Sequence, residues 1–289
     1  MAVIRLEWAQ FGDFDSFDVI RSDAPMDINA LPSPIATNLP TMYHVDTTVV
    51  EGATYYYRVV AWRDAVSKVS GEIELKALSG DVHWDNVVVL LHFDGDFTDE
   101  AGMSWTASGG ATTTSEGAKF GMSGNFPGGN SAYVISSSPL NFGAEDFTVE
   151  YFLQPRTAHQ GTIITNRDGG EIGWLSRVEA NGSIGFLNIG STQTSVVSPP
   201  GAVVPLVWTH VAFAKEGSTG RLFINGVLAA SGTFKAATAS SRGVSIGSTR
   251  YDGAAYRSFN GLLDELRITK GVARYTEDFP PPDAPFPSY

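Results

Sequence analysis

The sequence predicts an all-β protein, on the basis of three observations. Apolar and polar residues alternate with a period of two in many segments, which is typical of half-buried strands. Segments with a period of 3.6 residues are short and are interrupted by Gly, Thr and Ser. The composition includes 31 Gly, 17 Phe and 10 Tyr with 17% charged residues, which favours turns and strand faces.

The length of 289 residues predicts about two domains. A hydrophobic fraction of 43% is ordinary for a chain that buries cores. The turn residues Ser79, Gly80 and Asp81 mark a break between two blocks of strand patterns. We therefore predict one domain over residues 1–79 and a larger one over residues 83–289.

The composition excludes several classes of function. The chain has no Cys, so it has neither a disulfide framework nor thiolate sites. Its 31 acidic and 19 basic side chains give a net charge of −12, which disfavours nucleic-acid binding but is compatible with divalent cations and neutral ligands. No apolar run is long enough for a membrane helix. Arg5 and Glu7 interrupt the first apolar residues, so we predict neither a signal peptide nor membrane insertion.

The first block alternates between strand patterns and loops. The strand patterns cover residues 3–8, 17–21, 42–50, 54–62 and 69–75. Residues 23–40 hold four Pro, which predicts a loop with at most an edge strand. In residues 54–62, Tyr55 and Tyr57 fall on one face of the strand and Trp62 on the other.

This block resembles a fibronectin type III domain. The resemblance rests on Leu6-Glu7-Trp8, Phe17-Asp18-Val19-Ile20-Arg21-Ser22, Asp46-Thr47-Thr48-Val49 and Gly52-Ala53-Thr54-Tyr55-Tyr56-Tyr57-Arg58-Val59-Val60-Ala61. It implies that Tyr55 makes the tyrosine corner and that Trp8 lies in the core on the second strand. Because Trp8 lies only seven residues after Met1, the usual first strand is predicted to be missing.

A missing first strand would leave an open sheet edge at Val3, Arg5 and Glu7. One interpretation is that a loop or the second domain covers this edge. The other is that a partner protein supplies the strand by β-augmentation, which would make the block a docking domain.

The second block contains more strand patterns and one clear hairpin. Residues 87–93 form a nearly continuous apolar run, and residues 147–153 alternate. Asn225 and Gly226 separate two strand-like runs, and Asn-Gly favours a type I′ hairpin turn because both positions need positive φ. The other patterns cover residues 208–215, 221–224, 227–230, 244–246 and 261–269. They predict one large β-sandwich.

The second block resembles a laminin G-like, concanavalin A-like jelly roll. The resemblance rests on Val87-Val88-Val89-Leu90-Leu91-His92-Phe93-Asp94-Gly95, Phe97-Thr98-Asp99, Asn141-Phe142-Gly143-Ala144-Glu145-Asp146-Phe147-Thr148-Val149-Glu150, Trp208-Thr209-His210-Val211-Ala212, Arg221-Leu222-Phe223-Ile224-Asn225-Gly226 and Phe259-Asn260-Gly261-Leu262-Leu263-Asp264-Glu265-Leu266-Arg267-Ile268-Thr269-Lys270-Gly271. The His92-Phe93-Asp94-Gly95 opening and the ending at residues 272–287 are similar to the version of this domain in tailed-bacteriophage virion proteins.

Four carboxylates form the candidate cation site. Strand alternation places Asp264 on an apolar face, where a charge needs a partner. Asp94, Asp96 and Asp99 lie in the turn after the first long strand of the block, and calcium prefers oxygen ligands of this kind. The jelly-roll resemblance implies one structural Ca²⁺ where such a turn meets the late strand. The alternative is a surface acidic turn, with Asp264 paired to an Arg or to the backbone.

No arrangement of residues predicts catalysis, so we expect a protein that is not an enzyme. Jelly-roll glucanases carry close carboxylate pairs on one strand, and no strand pattern here contains them. Glu145, Asp146 and Glu150 come nearest, and we expect them to be solvated. His210 lies among apolar neighbours and is expected to be a core histidine.

Two loops are candidates for sugar binding, because aromatic rings beside planar polar groups suit carbohydrates and loops often carry binding residues. One loop contains Arg250, Tyr251, Tyr256 and Arg257. The other contains Asn166, Arg167, Asp168 and Trp174. The alternative is that the tyrosines pack over the rim of the sandwich.

Together, these features predict a virion structural protein of a tailed phage, assembled in the host cytoplasm. The expected partners are capsid or tail proteins, glycans of a host surface or of the environment, and further copies of the chain. The preferred function is adhesion through the lectin-like domain. The alternatives are a head decoration, fibre or tail component without glycan binding, and a bacterial surface adhesin.

Overall fold

A computed structural model describes residues 2–9, 12–129, 132–167, 172–190, 193–251 and 254–288, with the backbone alone for residues 3, 78, 79, 250, 251 and 254–256. The chain divides into two compact units, Met1–Val82 and His83–Ser288. Regular structure in the described residues consists of antiparallel strands and one 3₁₀ turn at Trp84–Asn86. This confirms the all-β fold class. No helix in the described ranges has the length and hydrophobicity needed to cross a membrane.

The N-terminal unit contains two sheets. The strands are β1 (Ala2–Glu7), β2 (Ser16–Ser22), β3 (Pro34–Leu39), β4 (Tyr43–Asp46), β5 (Thr54–Arg63), β6 (Val66–Val69), β7 (Ile73–Lys76) and β8 (Leu78–Ser79). One sheet has the order β4-β1-β8, and the other has the order β3-β2-β5-β6, with β7 also paired to β5. Tyr55 and Tyr57 of β5 pack in the main core with Ile4 and Leu6 of β1, as the alternation in β5 predicts.

One contact in this unit matches the fibronectin type III resemblance. The Val50 N–H donates to the Tyr55 hydroxyl at 2.9 Å, which is the bond implied for a tyrosine corner. Trp8 departs from the resemblance, because it follows β1 instead of lying on it and is only partly buried at the edge of the core. Its ring packs edge-on against Phe17 with 5.5 Å between centroids.

A buried carboxylate links β4 to its neighbours. Asp46 is 2% exposed and accepts hydrogen bonds from the Arg21 guanidinium, the Thr48 N–H and the Tyr57 hydroxyl, each at 2.9 Å. Burial alone would raise the pKa of Asp46, but the bonds from Thr48, Tyr57 and Arg21 lower it below its ordinary value. The carboxylate therefore stays charged and joins β2, β4 and β5.

The C-terminal unit is a large sandwich. Its strands are β9 (Val87–Leu91), β10 (Trp105–Ser108), β11 (Thr112–Thr114), β12 (Ser123–Pro127), β13 (Tyr133–Ser136), β14 (Phe147–Pro155), β15 (Gly161–Thr165), β16 (Gly173–Val178), β17 (Ile184–Ile189), β18 (Thr194–Val197), β19 (Thr209–Glu216), β20 (Thr219–Ile224), β21 (Val227–Thr233), β22 (Ser245–Ile246), β23 (Thr249–Tyr251), β24 (Ala254–Tyr256) and β25 (Asn260–Lys270).

The two main sheets of this unit enclose one core. One sheet has the order β10-β13-β22-β15-β16-β17-β18, and the other has the order β11-β12-β25-β14-β19-β20-β21, with β9 also paired to β25. The core-facing residues of β14 are Phe147, Val149, Tyr151 and Leu153, which follow the predicted alternation. Phe186 and Phe213 stack across the core with 4.2 Å between ring centroids.

The predicted position of Asp264 on the core face of β25 is wrong. The register between β14 and β25 shifts near this point, and Asp264 pairs with Phe152 on the outer face. Glu265 has a φ of 49°, so a β-bulge separates Asp264 from the core-facing Leu266 and Ile268. An extra residue in the bulge reverses the alternation that the sequence suggests.

The C-terminal segment, residues 272–286, covers part of the outer face of this sheet. Tyr275 and Phe279 pack over Ala212, Ala214 and Phe223. Phe286 packs against Val87 and Leu90. Side chains of this sheet that point away from the sandwich core are therefore buried beneath the C-terminal segment.

The burial of Glu150 is the clearest consequence of this cover by the C-terminal segment. We expected it to be solvated, and that expectation is wrong: its exposed fraction is 0%. Its carboxylate contacts Arg267 at 2.9 Å, the Tyr275 hydroxyl at 2.9 Å and His210 Nε2 at 3.4 Å. His210 is fully buried as well, in agreement with its expected place among apolar neighbours.

The predicted Asn225-Gly226 hairpin is confirmed between β20 and β21, with φ values of 49° and 79°. The same turn contacts the C-terminal segment, since the Phe279 N–H donates to the Gly226 carbonyl at 2.9 Å. A Cβ on Gly226 would lie 1.9 Å from the Phe279 carbonyl oxygen. Glycine is thus required here both by the turn and by the close approach of this segment.

Candidate ligand-binding site

Trp174 does not serve as an exposed platform, so its predicted role in sugar binding is wrong. Its exposed fraction is 0%, and its ring stacks on Phe186 with 5.6 Å between centroids. Its indole N–H donates to the Leu140 carbonyl at 3.4 Å. Trp174 is the second residue of β16, and its side chain is turned into the core, where a sugar cannot reach it.

The predicted sugar-binding loop that contains Arg250, Tyr251, Tyr256 and Arg257 forms the hairpin β23–β24. The side chains of Arg250, Tyr251 and Tyr256 lie outside the described residues, while their backbones pair as Thr249–Tyr256 and Tyr251–Ala254. The base of the hairpin is attached to β15 at Thr162. The Thr162 N–H donates to the Arg257 carbonyl at 2.7 Å, and the hydroxyls of Thr162 and Thr249 are 2.9 Å apart.

The two predicted sugar-binding loops do not form one site, because they leave opposite ends of β15. The hairpin is attached near the start of β15 at Thr162. The other loop follows the end of β15, where the Asn166 N–H donates to the Trp174 carbonyl at 3.1 Å. Arg167 is partly buried beside this point, and Asp168 lies outside the described residues.

A cavity of about 230 Å³, the rim cavity, opens between the β14–β15 connection, the β16–β17 turn and the loop before β19. Its wall is formed by residues 155, 157–159, 178–182, 201 and 203–205. His159 connects the cavity to the strand that follows the hairpin, since its Nε2 accepts the Asn260 N–H at 2.9 Å. Its Nδ1 lies 2.8 Å from the Thr157 carbonyl. Both ring nitrogens are engaged, which fixes the imidazole as part of the wall.

Planar polar groups lie beside the apolar parts of this wall. Glu179 accepts hydrogen bonds from Arg177 at 2.6 Å and from Gln160 at 2.5 Å. Asn181 is exposed, and its side-chain oxygen accepts the Ser183 N–H at 3.0 Å. These amide and carboxylate groups can pair with the hydroxyls of a ligand.

The sequence contains one signal for this cavity, which no predicted site included. Asn181-Gly182 is an Asn-Gly pair in the turn between β16 and β17. Gly182 has a φ of 77°, and a Cβ there would lie 2.6 Å from the Val203 carbonyl oxygen. The glycine allows residues 201–203 to pack against the turn and to close one side of the cavity.

A sequence profile described as the concanavalin A-like lectin/glucanases superfamily, of laminin G type, matches residues 127–276, just over half of the chain. The protein belongs to this superfamily. The matched region contains both the rim cavity and the hairpin, so both belong to the concanavalin A-like domain. A search of curated protein sequences found no match.

Solved structures with the same fold include two kinds of domain. Domain 4 of AbnA, an extracellular GH43 arabinanase from Geobacillus stearothermophilus in complex with arabinotriose, has a TM-score of 0.50 and 20% identity, covering 64% of this chain and 93% of that one. The binding domain of botulinum neurotoxin DC in complex with SialylT has a TM-score of 0.50 and 14% identity, covering 69% and 49%. This chain thus spans about half of the toxin domain. At these identities the likeness shows the concanavalin A-like fold.

The structure brings two of the four predicted metal ligands, Asp94 and Asp264, to one segment and places the other two elsewhere. Asp94 and Asp264 both contact residues 120–123, where Asp94 accepts the Met122 N–H at 2.6 Å and Asp264 accepts the Ser123 hydroxyl at 2.6 Å. Asp99 accepts the Leu90 N–H and the Trp105 indole N–H, each at 2.9 Å. Asp96 is exposed in the turn. Within the described ranges, no three His, Asp or Glu side chains are grouped to hold a metal ion.

As arranged, these residues do not fit a calcium ion. Both carboxylate oxygens of Asp264 accept hydrogen bonds, one from Ser123 and the Phe120 N–H and the other from the Glu265 N–H. Both oxygens of Asp99 are engaged too, since the Ala101 N–H shares one of them. Calcium would have to displace these donors. The backbone bonds to Asp264 match the alternative given above, in which this carboxylate is paired to the backbone. Calcium binding stays a prediction.

We expect Asp264 to make the domain less stable as the pH rises. Burial raises the pKa of Asp264 to about 7, although the bonds from Ser123 and Phe120 lower it. A carboxyl whose pKa is raised in the folded protein stabilises the fold fully at a pH below its unfolded pKa of about 4. This stabilisation is lost as the pH rises through the folded pKa of about 7. Thermal unfolding from pH 4 to 8 in EDTA should show this loss, which Asp264→Asn should remove.

The control for this measurement is Asp96→Asn, which changes an exposed carboxylate of the acidic turn and should keep the slope of the wild-type protein. Repeating the series with CaCl₂ tests the calcium prediction, because a bound cation would hold Asp264 ionised and abolish the loss of stability. Identical curves in CaCl₂ and EDTA would show that calcium does not bind there.

The predicted docking edge is only partly open. Val3 lies in a short pairing between β1 and β8, in which Val3 pairs with Leu78, so the chain itself covers the edge at this residue. Arg5 and Glu7 lie beyond that pairing. Their side chains form an exposed ion pair at 2.6 Å, which contributes little to stability because it is solvated.

Proposed function

We propose that the concanavalin A-like domain binds glycans at the rim cavity and the adjacent hairpin β23–β24. The observation that carries this proposal is the rim cavity, whose wall combines apolar surface with the planar polar groups of Glu179 and Asn181. The sequence of the attached hairpin supplies Arg250, Tyr251 and Tyr256. Such sites hold ligands with a few placed polar groups and aromatic side chains.

The proposed contacts follow from the chemistry of sugars. Sugar hydroxyls would pair with the Asn181 amide and the Glu179 carboxylate, while a tyrosine ring of the hairpin would cover an apolar face of the sugar. Domains with this fold have been solved with arabinotriose and with SialylT, which supports a carbohydrate as the ligand class. A shallow site of this kind binds weakly, so many copies on one particle would be needed for useful avidity.

We propose further that the protein is a structural component of a tailed-phage virion. The support is the similarity of residues 92–95 and 272–287 to virion versions of this domain. The domain would then be displayed for adhesion to a host surface or to environmental glycans, with capsid or tail proteins as its other partners and assembly in the host cytoplasm. In this role it binds sugars without hydrolysing them.

We expect a glycan array probed with the full-length chain, displayed in many copies on beads, to give specific signals. The double variant Asn181→Ala/Tyr251→Ala should weaken binding about tenfold, which corresponds to 1.4 kcal/mol and to the loss of roughly one hydrogen bond and one ring contact. Gln193→Ala changes an exposed side chain in the same domain and serves as the matched control.

Three results would count against this proposal. A flat array together with specific binding to particles would favour the structural role without glycan binding. Equal binding by the double variant and Gln193→Ala would move the glycan site elsewhere on the domain. Release of new reducing ends from a bound oligosaccharide would contradict the expectation that the protein is not an enzyme.

A further inference from the structure

One edge of β1 carries main-chain groups without a strand partner in the described residues. The Trp8 N–H donates to the Met42 carbonyl at 3.1 Å, on the β4 side of the strand. Successive residues of a strand direct their N–H and C=O groups to opposite sides, so those of Arg5 and Glu7 point away from β4. On that side β8 pairs only with Ala2 and Val3.

A groove of about 330 Å³ lies next to this open stretch. Leu6 and Trp8 of the β1 region form one wall, and Tyr57, Val59 and Ile73 contribute to the opposite wall from β5 and β7. Its volume is at the lower end of the range of about 300–1,000 Å³ found for ligand pockets. The open main-chain edge and the apolar groove therefore lie side by side in the N-terminal unit.

Trp8 adds an unsatisfied polar group to this groove. Its indole Nε1 is buried and has no hydrogen-bond partner within the described part of the chain. Buried N–H groups in folded proteins nearly always have an acceptor. An occupant of the groove that carries a carbonyl or carboxylate could supply it.

We propose that this edge binds an extended β-strand of a partner protein. The main chain of the incoming strand pairs with Arg5 and Glu7, continuing along β1 from the place where β8 ends. Its apolar side chains, at alternate positions, enter the groove. Exposed Lys68 also lines the groove, whereas Arg58 of the same lining already pairs with Glu72 at 3.4 Å. An acidic residue at the strand end that faces Lys68 therefore supplies the complementary charge.

The geometry limits the occupant to an extended peptide chain. A helix satisfies its own backbone groups and would leave those of Arg5 and Glu7 unpaired. A compact ligand could fill the groove but would not reach groups spaced along a strand. This inference concerns the N-terminal unit and does not depend on glycan binding by the concanavalin A-like domain, so either can fail alone.

The probe for this proposal is a synthetic peptide of sequence Thr-Val-Thr-Val-Thr-Glu-Thr, titrated into the full-length protein, in which the two Val and the Glu near the end share one face. We expect hydrogen exchange to show unprotected Arg5 and Glu7 amides in the free chain and protected ones with the peptide. Glu7→Pro removes one edge N–H without removing a known ladder bond, and proline is tolerated at sheet edges. This variant should weaken peptide binding at least about tenfold. Glu7→Thr keeps the N–H and should bind like the wild type.

Several outcomes would overturn the proposal. Equal peptide binding by Glu7→Pro and Glu7→Thr would show that the edge is not the docking surface. Strong protection of the Arg5 and Glu7 amides in the free monomer would show that the chain already covers its own edge. Self-association that Glu7→Pro abolishes would identify the occupant as a second copy of this chain, not a partner protein.

Discussion

Glu150→Gln is expected to lower the free energy of unfolding of the concanavalin A-like domain by about 3–5 kcal/mol, the usual effect of removing one member of a buried ion pair. The carboxylate is fully buried and lies 2.9 Å from the Arg267 guanidinium. Arg274 approaches it to 3.9 Å. Gln would leave both cations in a poorly solvated place without the opposite charge.

The same carboxylate should make stability depend on acid. Burial alone would raise the pKa of Glu150, but the charge of Arg267 and the contacts of His210 and Arg274 lower it to about 2. For a lowered carboxyl pKa, the contribution to stability is present above the unfolded value of about 4.3 and is lost as the pH falls towards 2. The wild-type protein should therefore lose more stability than Glu150→Gln across this interval.

Glu150 also binds the C-terminal segment to the sheet, because the Tyr275 hydroxyl donates a hydrogen bond to its carboxylate at 2.9 Å. Hydrogen exchange of residues 272–279 should thus become faster in Glu150→Gln. The matched control is Glu145→Gln, since Glu145 pairs with Lys270 at 3.2 Å on the surface and should change stability by about 1 kcal/mol or less. If both variants unfold at the same denaturant concentration, the buried cluster does not stabilise the domain.

The sequence predicted those parts of the fold that depend on local patterns. The alternation in residues 147–153 gave the correct core face of β14, because the extra residue at the register shift between β14 and β25 lies in β25 and not in β14. The Asn225-Gly226 turn was predictable because its positive φ values restrict the choice of residues. In both cases the physical cause lies within a few residues of the signal.

The misplaced residues depend on contacts between distant segments. Glu150 occupies a position in the alternating pattern that suits a solvated strand residue. It is buried because the C-terminal segment covers it, with Tyr275, 125 positions later, donating to its carboxylate. Asp264 was assigned to the wrong face because the bulge at Glu265 appears only in the pairing with β14. Trp174 lies at the start of β16, so the sequence alone did not show whether it belonged to the loop or to the core. The rim cavity was missed since its three segments meet only in the folded sandwich.

Asp46→Asn is expected to destabilise the N-terminal unit by about 3 kcal/mol, near the lower limit for a broken buried ion pair, because Arg21 keeps some contact with water. Small domains have stabilities of about 0.05–0.15 kcal/mol per residue, so this loss is a large fraction for a unit of this size. Asp46 holds β2, β4 and β5 together through Arg21 and Tyr57. Hydrogen exchange of amides in these strands should report the change.

The expected pH dependence follows from the lowered pKa of Asp46, which burial opposes and the bonds from Thr48, Tyr57 and Arg21 produce. Its contribution is present above the unfolded value of about 3.9 and declines as the pH falls below it. Asp13→Asn, at an exposed position of the same unit, should change stability by about 0.5 kcal/mol or less. An effect of Asp13→Asn as large as that of Asp46→Asn would point to net charge and not to the buried network.

A double variant separates the network from a sum of independent bonds. Tyr57→Phe removes only the hydroxyl that donates to Asp46 at 2.9 Å, which should lower stability by about 1 kcal/mol. If Asp46 acts through the network, Tyr57→Phe should have a smaller effect in the Asp46→Asn background, because the hydroxyl then donates to a neutral acceptor. Additive effects would mean that the Tyr57 hydroxyl stabilises β5 independently of the Asp46 charge, and that the Asp46 carboxylate acts mainly on Arg21.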